Sequence, residues 1–316
     1  MKKVIIIWLV VISIFSLIIL AVPAMADDHD SNSNSETELV PPLSDPSKID
    51  YNALTNYDLL NPDNPKYDPS LKYGPEGTRF GPPGKNTPNI PELSQGANSP
   101  LVDGQWFGTN IFYNSNIYGV YASQSVYNNI TLNESGDILY APTIIGPNQC
   151  GLEMTTEYKR TGSTTSRGIR LWQWINAQQA QPIAYVVITP TFISSYVRGG
   201  RYLMEILYIA ASQKWQALLY NFSASRWDSL GPTVPSQTSG QTIGWDIWEE
   251  YFLDNNWPTL PSIGSSNLKV KIGSGGDTWA YVTSTYGNQG WDLVDAPYPH
   301  FYINYYYSWM VAYGPQ

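Results

Sequence analysis

Residues 151–159 read Gly-Leu-Glu-Met-Thr-Thr-Glu-Tyr-Lys, and this stretch is the clearest guide to the fold. Two sets of side chains alternate along it. One set is Leu152, Met154, Thr156 and Tyr158, and the other is Glu153, Thr155 and Glu157. A period of two residues is that of a β-strand, whose successive side chains point to opposite faces. The stretch therefore predicts a strand with a mainly apolar face and a face that carries two glutamates.

Segments on both sides of this stretch give the same kind of signal. Ile183–Phe192 is a continuous β-branched run flanked by prolines, and Arg201–Ala211 with Lys214–Phe222 predicts a hairpin that turns at residues 211–213. Further strands are predicted at Ile117–Ser123, Gly244–Leu253, Asn267–Ile272 and Phe301–Tyr313, and Gly168–Gln179 is ambiguous. Many short strands separated by Gly, Pro, Asn and Ser predict one all-β domain over residues 101–316, an antiparallel β-sandwich or jelly roll.

The first 100 residues have a different character. Lys2 and Lys3 precede an apolar run, Val4–Leu20, and Ala24-Met25-Ala26 supplies the small residues of a cleavage site. We expect residues 1–26 to be a signal peptide, so that the protein is extracellular or at the cell surface, with no membrane span after cleavage. An uncleaved membrane anchor is the alternative. Residues 27–100, rich in Pro, Asn and Asp, predict an extended linker or else a removable pro-segment.

Composition narrows the classes of partner and of chemistry. The net charge of −9 disfavours a nucleic-acid partner, which requires clustered Lys and Arg. Cys150 is the single cysteine, so no intramolecular disulfide can form, and we expect it to be buried as a small hydrophobe. Within residues 101–316 the one histidine is His300, which rules out a histidine-rich metal site. No nucleotide fingerprint is present either, and we expect neither a metal nor a cofactor.

Any chemistry in this domain must therefore be carried by carboxylates. The candidates in β-prone segments are Glu153, Glu157, Glu205, Asp246, Glu249 and Glu250. Glu205 has apolar neighbours on both sides, where burial would raise the pKa of a carboxyl group. Two carboxylates on an aromatic-lined sheet are a hydrolase pattern, shared by glycosidases and glutamic peptidases. The E-x-D-x-x-E strand of laminarinase-like glycosidases is absent, which favours the peptidase class.

Several stretches also point to a family. Tyr118–Asn128, Gly151–Tyr158, Tyr202–Trp215 and Gly244–Glu250, with the final Tyr-Gly-Pro, resemble in this order the neprosin family of glutamic peptidases and, more distantly, the fungal eqolisins. The resemblance implies a concanavalin-like β-sandwich, a polypeptide substrate, and catalysis by Glu153 with Glu249. The segment around the second glutamate lacks the family's Gly-Gly, so Glu250 stays in reserve, as does Glu157. The expected substrate-binding residues are Trp245, Trp248 and Tyr158.

The abundance of aromatic residues supports a rival interpretation. The chain has 12 Trp and 24 Tyr, more than one core of this size needs, so some must reach the surface. Exposed Trp and Tyr stack on sugar rings. The alternative function is therefore a non-catalytic, cell-surface module that binds an extracellular glycan or is structural. The most exposed patch is expected at Tyr302, Tyr305, Tyr306, Tyr307, Trp309 and Tyr313.

Overall fold

The structure, a computed structural model, describes residues 44–72, 105–176, 179–237, 243–252, 258–273, 278–292 and 300–312. The signal peptide predicted at residues 1–26 lies outside the described residues. In the described part of the chain, no helix has both the length and the apolar character that crossing a bilayer requires.

The described residues form fifteen strands, one α-helix and two short 3-10 helices. The strands are β1 (Gln105–Ile111), β2 (Ile117–Ser125), β3 (Ile138–Ile145), β4 (Leu152–Thr161), β5 (Thr164–Asn176), β6 (Gln179–Val187), β7 (Arg201–Ile209), β8 (Lys214–Asn221), β9 (Arg226–Pro235), β10 (Gly244–Tyr251), β11 (Ile263–Ile272), β12 (Thr278–Tyr281), β13 (Gly287–Asp292), β14 (His300–Tyr305) and β15 (Ser308–Ala312). The helix α1 is Pro190–Tyr196, and the 3-10 helices are Pro46–Lys48 and Pro69–Lys72.

The strands form two antiparallel sheets that pack face to face, which confirms the predicted sandwich. The first sheet has the order β13-β1-β10-β3-β4-β5-β6. The second has the order β14-β15-β11-β2-β7-β8-β9, with β12 paired to β11 outside this path. The side chains that point from each sheet toward the other form the main core, so each sheet also has an outer face, turned away from its partner.

The two sheets are joined by a buried apolar layer that contains a few polar contacts. Leu152 and Met154 of β4 belong to this layer together with residues of β2, β7 and β8. Within it, Gln124 donates from Nε2 to Asp246 Oδ1 at 2.9 Å, across from one sheet to the other. The predicted burial of Cys150 is confirmed, since its thiol has no exposed surface and burial raises its pKa to about 12.

Most predicted strands are confirmed, but the run from Ile183 to Phe192 is not one strand. Strand β6 ends at Val187, and α1 begins at Pro190. The Thr189 hydroxyl accepts a hydrogen bond from the Phe192 N–H at 3.1 Å, which caps the helix, and proline is favoured at the first helical position. A Thr-Pro pair inside an apolar run thus started a helix that buries Phe192 and Tyr196.

In two other segments, the strands of the structure differ from those predicted from the sequence. The ambiguous segment Gly168–Gln179 contains most of β5, the thirteen-residue strand Thr164–Asn176. Phe301–Tyr313 contains two strands, β14 and β15, joined by a turn at Tyr306 and Tyr307. The predicted hairpin of β7 and β8 is confirmed, and Gln213 has the positive φ of 55° that its turn requires.

Residues 44–72 belong to the range predicted as a linker or pro-segment, and they contact the edges of both sheets. The Asp50 N–H donates to the Trp227 carbonyl on β9 at 3.1 Å, and Asp58 accepts from the Tyr185 N–H on β6 at 2.9 Å. Between these points, Leu54 is 1% exposed and packs in the main core. These contacts cover the outermost strands, which otherwise present unpaired backbone groups. The linker or pro-segment role of residues 27–100 stays a prediction.

The tryptophans are more buried than their number suggested. Among those whose side chains are described, Trp172, Trp174, Trp215, Trp227, Trp245, Trp248 and Trp309 are each at most 4% exposed. The prediction that Trp309 is exposed is therefore wrong, because this side chain packs against residues of β1 and β11. The exposed aromatic residues are mainly tyrosines, and Tyr305 is 61% exposed. The side chains of Tyr302 and Tyr313 lie outside the described part.

Candidate active site

The outer face of the first sheet carries the glutamates of β4. Leu152 and Met154 point into the main core, so Glu153, Thr155 and Glu157 point the other way, as the alternation in the sequence predicted. All three outward side chains are nevertheless about 1% exposed, because aromatic side chains surround them. We call this surface, with the outward residues of β10, β3 and β5, the carboxylate face.

A β-bulge in β3 adds two further polar side chains to the carboxylate face. Tyr140 pairs with Glu157 and Thr143 with Thr155, so β3 uses one residue more than β4 between these pairs. The same shift occurs against β10. In a regular strand, residues three apart point to opposite faces, but the extra residue brings Tyr140 and Thr143 to the same one.

Glu153 is held by three hydrogen-bond donors. Its Oε1 accepts from the Thr143 hydroxyl at 2.8 Å and from the Trp245 indole at 2.9 Å. Its Oε2 accepts from the Trp174 indole at 2.7 Å. These donors come from β3, β10 and β5, so three strands fix the orientation of one carboxylate. Its Oε2 atom accepts one of these hydrogen bonds and retains a lone pair that the three contacts do not use.

Glu249 lies on the same face, on β10. Its Oε1 accepts a hydrogen bond from the Tyr251 hydroxyl at 2.6 Å, and the side chain is 2% exposed. Burial raises the pKa of Tyr251 well above its ordinary value, and the charges of Glu249 and Glu153 add to this effect. The Tyr251 hydroxyl is thus within electrostatic reach of both carboxylates that the resemblance indicated.

Glu157 forms a buried ion pair with Arg170 of β5. The Arg170 Nε donates to Glu157 Oε2 at 2.6 Å, and Nη2 donates to Oε1 at 2.8 Å. The guanidinium also lies over the rings of Trp172 and Tyr185, at 5.3 and 4.4 Å from their centroids. Both oxygens of Glu157 are therefore engaged by a cation, unlike those of Glu153.

The register fixes how the three glutamates are arranged. Glu249, Tyr140 and Glu157 are direct cross-strand neighbours in one row across β10, β3 and β4. Glu153 lies in a different row, opposite Ile145. Because adjacent strands are about 4.8 Å apart, the backbones of Glu249 and Glu157 are separated by about 10 Å. Glu153 and Glu249 thus share the face but not the row.

Three of the sequence-predicted site residues point away from the carboxylate face. Trp248 and Tyr158 belong to a buried cluster between the sheets, and the Tyr158 hydroxyl accepts from the Tyr127 N–H at 3.0 Å. Glu250 follows Glu249 on β10, so it points to the opposite side, and burial raises its pKa well above the ordinary value. The structure therefore separates Glu249 from Glu250, which the sequence did not.

Several residues at this face were not singled out from the sequence. They are Thr143, Trp174, Arg170, Tyr140 and Tyr251. Tyr251 had a local signal, because it follows Glu249 by two residues and so shares its strand face. The others depend on strand pairing and on the bulge, which a sequence without an alignment does not reveal.

A cavity of about 410 Å³ opens beside the ion pair at one end of the carboxylate face. Glu157, Arg170 and Tyr185 line it from the sheet, and Leu59 and Leu71 line it from the amino-terminal segment. The Leu71 carbonyl accepts a hydrogen bond from Arg170 Nη1 at 3.0 Å. Within the described residues, no cluster of three or more His, Cys, Asp or Glu side chains is arranged to hold a metal ion.

A second feature outside this face is a group of tyrosines on the second sheet, of which Tyr281 and Tyr305 are exposed and Tyr307 is partly buried. Tyr305 stacks on Tyr307 with 5.1 Å between ring centroids, and Tyr281 lies 4.8 Å from Tyr307. The Lys269 Nζ lies over the Tyr281 ring at 4.5 Å from its centroid. We call Tyr281, Tyr305 and Tyr307 the tyrosine cluster.

Comparisons with known proteins give structural likeness only. No protein-family model matches the chain, and no curated protein matches its sequence. Among solved structures, scytalido-glutamic peptidase with a transition state analog inhibitor is similar at a TM-score of 0.42 and 14% identity, over 68% of this chain and 100% of that chain. SCP-B, a member of the Eqolisin family in a complex with the tripeptide Ala-Ile-His, is similar at 0.39 and 14%, with the same coverage.

A CBM2 module of an evolved Dit from Lactobacillus casei BL23 phage J-1 is also similar, at a TM-score of 0.19 and 15% identity, over 53% of this chain and 69% of that chain. The chain thus resembles, at low similarity, β-sandwich structures of glutamic peptidases.

Proposed function

We propose that this protein is an exported glutamic endopeptidase of the neprosin-like kind, which hydrolyses polypeptides with Glu153 and Glu249. The observation that carries the proposal is the position of the Tyr251 hydroxyl. This hydroxyl donates a hydrogen bond to Glu249, and the charge of Glu153 contributes to raising its pKa. Water activation and leaving-group protonation require two carboxylates that can reach one peptide bond, and Glu153 and Glu249 are two carboxylates of this buried face that Arg170 does not engage. Export is proposed from the order of charged, apolar and small residues in residues 1–26.

The surroundings of the two glutamates suggest different roles. Glu153 is oriented by Thr143 and two indoles and keeps a lone pair on Oε2, which suits a general base for water. Its carboxylate takes one proton as the water oxygen bonds to the scissile carbonyl carbon. Glu249, in its protonated form, gives a proton to the amide nitrogen as the carbon–nitrogen bond breaks. The products are a carboxylic acid and an amine, and the two glutamates then exchange a proton through solvent.

Glu157 is assigned a structural role in this proposal. Both of its oxygens accept from Arg170, so using it as a base would require breaking a buried, bidentate ion pair. The adjoining cavity, beside Arg170 and Tyr185, is the proposed entrance for the substrate chain.

The test is cleavage of a denatured protein substrate between about pH 3 and pH 7. We expect Glu153→Gln and Glu249→Gln to lower the rate at least about 100-fold, as loss of a general acid or base does. Glu250→Gln is the matched control, because Glu250 is the next residue on the same strand but points to the other side. Full activity in either Glu153→Gln or Glu249→Gln would remove that residue from the mechanism.

A second candidate function is glycan binding at the tyrosine cluster. It is favoured by the 61% exposure of Tyr305 and by the ring contacts among Tyr305, Tyr307 and Tyr281. Rings in such a group present apolar faces and hydroxyls to sugars. Pull-down of the protein on insoluble glycans, with Tyr305→Ala as the comparison, tests this function independently of any peptidase assay.

A further inference from the structure

Tyr140 has an unusual hydroxyl in the middle of the carboxylate face. Its side chain has no exposed surface, and its hydroxyl makes no hydrogen bond with the described residues. Buried hydroxyls normally have a partner, since an unmade hydrogen bond costs the folded state free energy. The hydroxyl is therefore a candidate donor for a group that arrives from outside.

The neighbours of Tyr140 explain why its hydroxyl has no hydrogen-bond partner among the described residues. It lies between Glu249 and Glu157 in one cross-strand row. Glu249 accepts from Tyr251, and both oxygens of Glu157 accept from Arg170. The two adjacent carboxylates are thus engaged by other donors.

The ring of Tyr140 is held by two aromatic side chains. Its centroid is 6.2 Å from that of Trp172 and 6.0 Å from that of Tyr251, in edge-to-face contacts. The bulge that follows Tyr140 in β3 fixes the face to which the side chain points. A donor held in this way is preorganised, so it does not have to reorient when charge develops on a substrate.

The hydroxyl also stays protonated at every pH of interest. Burial raises the pKa of Tyr140 well above its ordinary value, and the charges of Glu157, Glu249 and Glu153 raise it further, against an opposing effect of Arg170. Tyr140 is therefore a hydrogen-bond donor whose pKa is raised by the charges of all three glutamates of the face.

Building on the proposed peptidase function, we propose that the Tyr140 hydroxyl donates the hydrogen bond that stabilises the oxyanion of the scissile peptide. When the water oxygen bonds to the carbonyl carbon, the carbonyl electron pair moves to its oxygen, and that oxygen accepts from Tyr140. The tyrosine keeps its proton throughout. When the carbon–nitrogen bond breaks, the electron pair returns to form the new carboxyl group and the hydrogen bond weakens.

Two other tyrosines near the glutamates suit this role less well. The Tyr251 hydroxyl already donates to Glu249 at 2.6 Å. Tyr158 points between the sheets, where its hydroxyl accepts from the Tyr127 N–H. Tyr158 is therefore a useful control, because it is a buried tyrosine on the next strand with a purely structural hydrogen bond.

The experiment compares Tyr140→Phe with Tyr158→Phe in the full chain, measuring kcat, KM and the urea midpoint of unfolding. For Tyr140→Phe we expect kcat to fall by about 100- to 1,000-fold, as loss of one oxyanion donor does, while KM stays within about threefold. Its urea midpoint is expected to stay the same or rise, because an unpaired buried hydroxyl is removed. Tyr158→Phe is expected to show the opposite pattern, with a lower midpoint and an unchanged kcat.

The possible results separate this inference from the peptidase proposal. If the wild-type chain cleaves no polypeptide at any pH tested, both proposals fail together. If it is active and folded Tyr140→Phe keeps more than about a third of the wild-type kcat, the oxyanion role alone is overturned. A large loss of kcat with an unchanged pH profile supports it, because the ionising glutamates remain.

Discussion

The outer faces of the two sheets both bury glutamate side chains, but they differ in the hydrogen-bond partners that they provide for them. On the first sheet, Glu153 is 1% exposed and accepts hydrogen bonds from Thr143, Trp174 and Trp245. On the second sheet, Glu205 is 2% exposed among Leu and aromatic side chains, and its Oε2 has no hydrogen-bond partner in the described residues. Burial raises the pKa of Glu205 to about 8.

Burial alone therefore does not decide what a carboxylate can do. Its hydrogen-bond and ion-pair partners also matter, because a buried charge is tolerated when donors or a cation surround it and is otherwise neutralised by a proton. The first outer face supplies indoles, a hydroxyl and Arg170, whereas the second supplies mainly apolar contacts. The raised pKa expected for Glu205 from its apolar neighbours is confirmed.

The largest effect is expected from removing the cation of the first face. Arg170→Met leaves Glu157 buried with neither of its two guanidinium donors, and we expect the free energy of unfolding to fall by about 3–5 kcal/mol. Urea unfolding at neutral pH measures this change. Arg226→Met is the control, since Arg226 is 42% exposed, its partner Asp50 is partly exposed, and its buried partner Asp228 keeps bonds from Tyr196 and Asn221.

We expect the loss in Arg226→Met to be clearly smaller, at about 1 kcal/mol or less. A double variant, Glu157→Leu with Arg170→Met, is expected to recover much of the stability, because an apolar pair replaces the ion pair. Equal losses at Arg170 and Arg226 would contradict the view that buried partners distinguish the first face.

The second prediction concerns the pH dependence that arises from two buried carboxyl groups whose pKa is raised by burial. Glu205 titrates at about 8 in the folded protein and near its ordinary 4.5 when unfolded. The folded state thus binds more protons between these values, so the stability from this group is complete below about pH 4.5 and is lost as pH rises through 8. Asp246, with a pKa raised to about 7 by burial, acts in the same direction.

We expect unfolding free energy to decrease from pH 5 to pH 8, with at most about 1.4 kcal/mol per pH unit from each such group. Urea titrations at several pH values measure the slope. Glu205→Gln should flatten it, because the amide mimics the protonated carboxyl group. A slope unaltered by Glu205→Gln would show that this residue is not the group that titrates.

The smallest effect is expected from removing one indole donor. Trp174→Phe deletes the N–H that donates to Glu153 Oε2 at 2.7 Å, and hydrogen bonds to charged groups contribute about 1.5–3 kcal/mol. Trp215→Phe is the matched control, since that indole donates to the neutral Ser236 hydroxyl at 2.9 Å, where about 0.5–1.5 kcal/mol is expected. A loss at Trp215 as large as that at Trp174 would show that the bond to Glu153 contributes no more than a bond to a neutral hydroxyl.

The amino-acid sequence was enough to predict the fold class, the alternation along β4 and the burial of Cys150, because a two-residue period and an apolar side chain are local properties. It also brought Glu153 and Glu249 into consideration. The sequence failed at α1, where the Thr-Pro pair outweighed a β-branched run.

Only the folded structure shows which glutamate of β10 lies on the same face as Glu153 and which donors reach Glu153. The side of Glu249 depends on the pairing of β10 with β3, and the side of Tyr140 depends on the bulge that follows it. Trp174, Trp245 and Thr143 converge on Glu153 from three different strands. Register, bulges and such convergence are set by contacts between distant segments, so no local pattern in the chain encodes them.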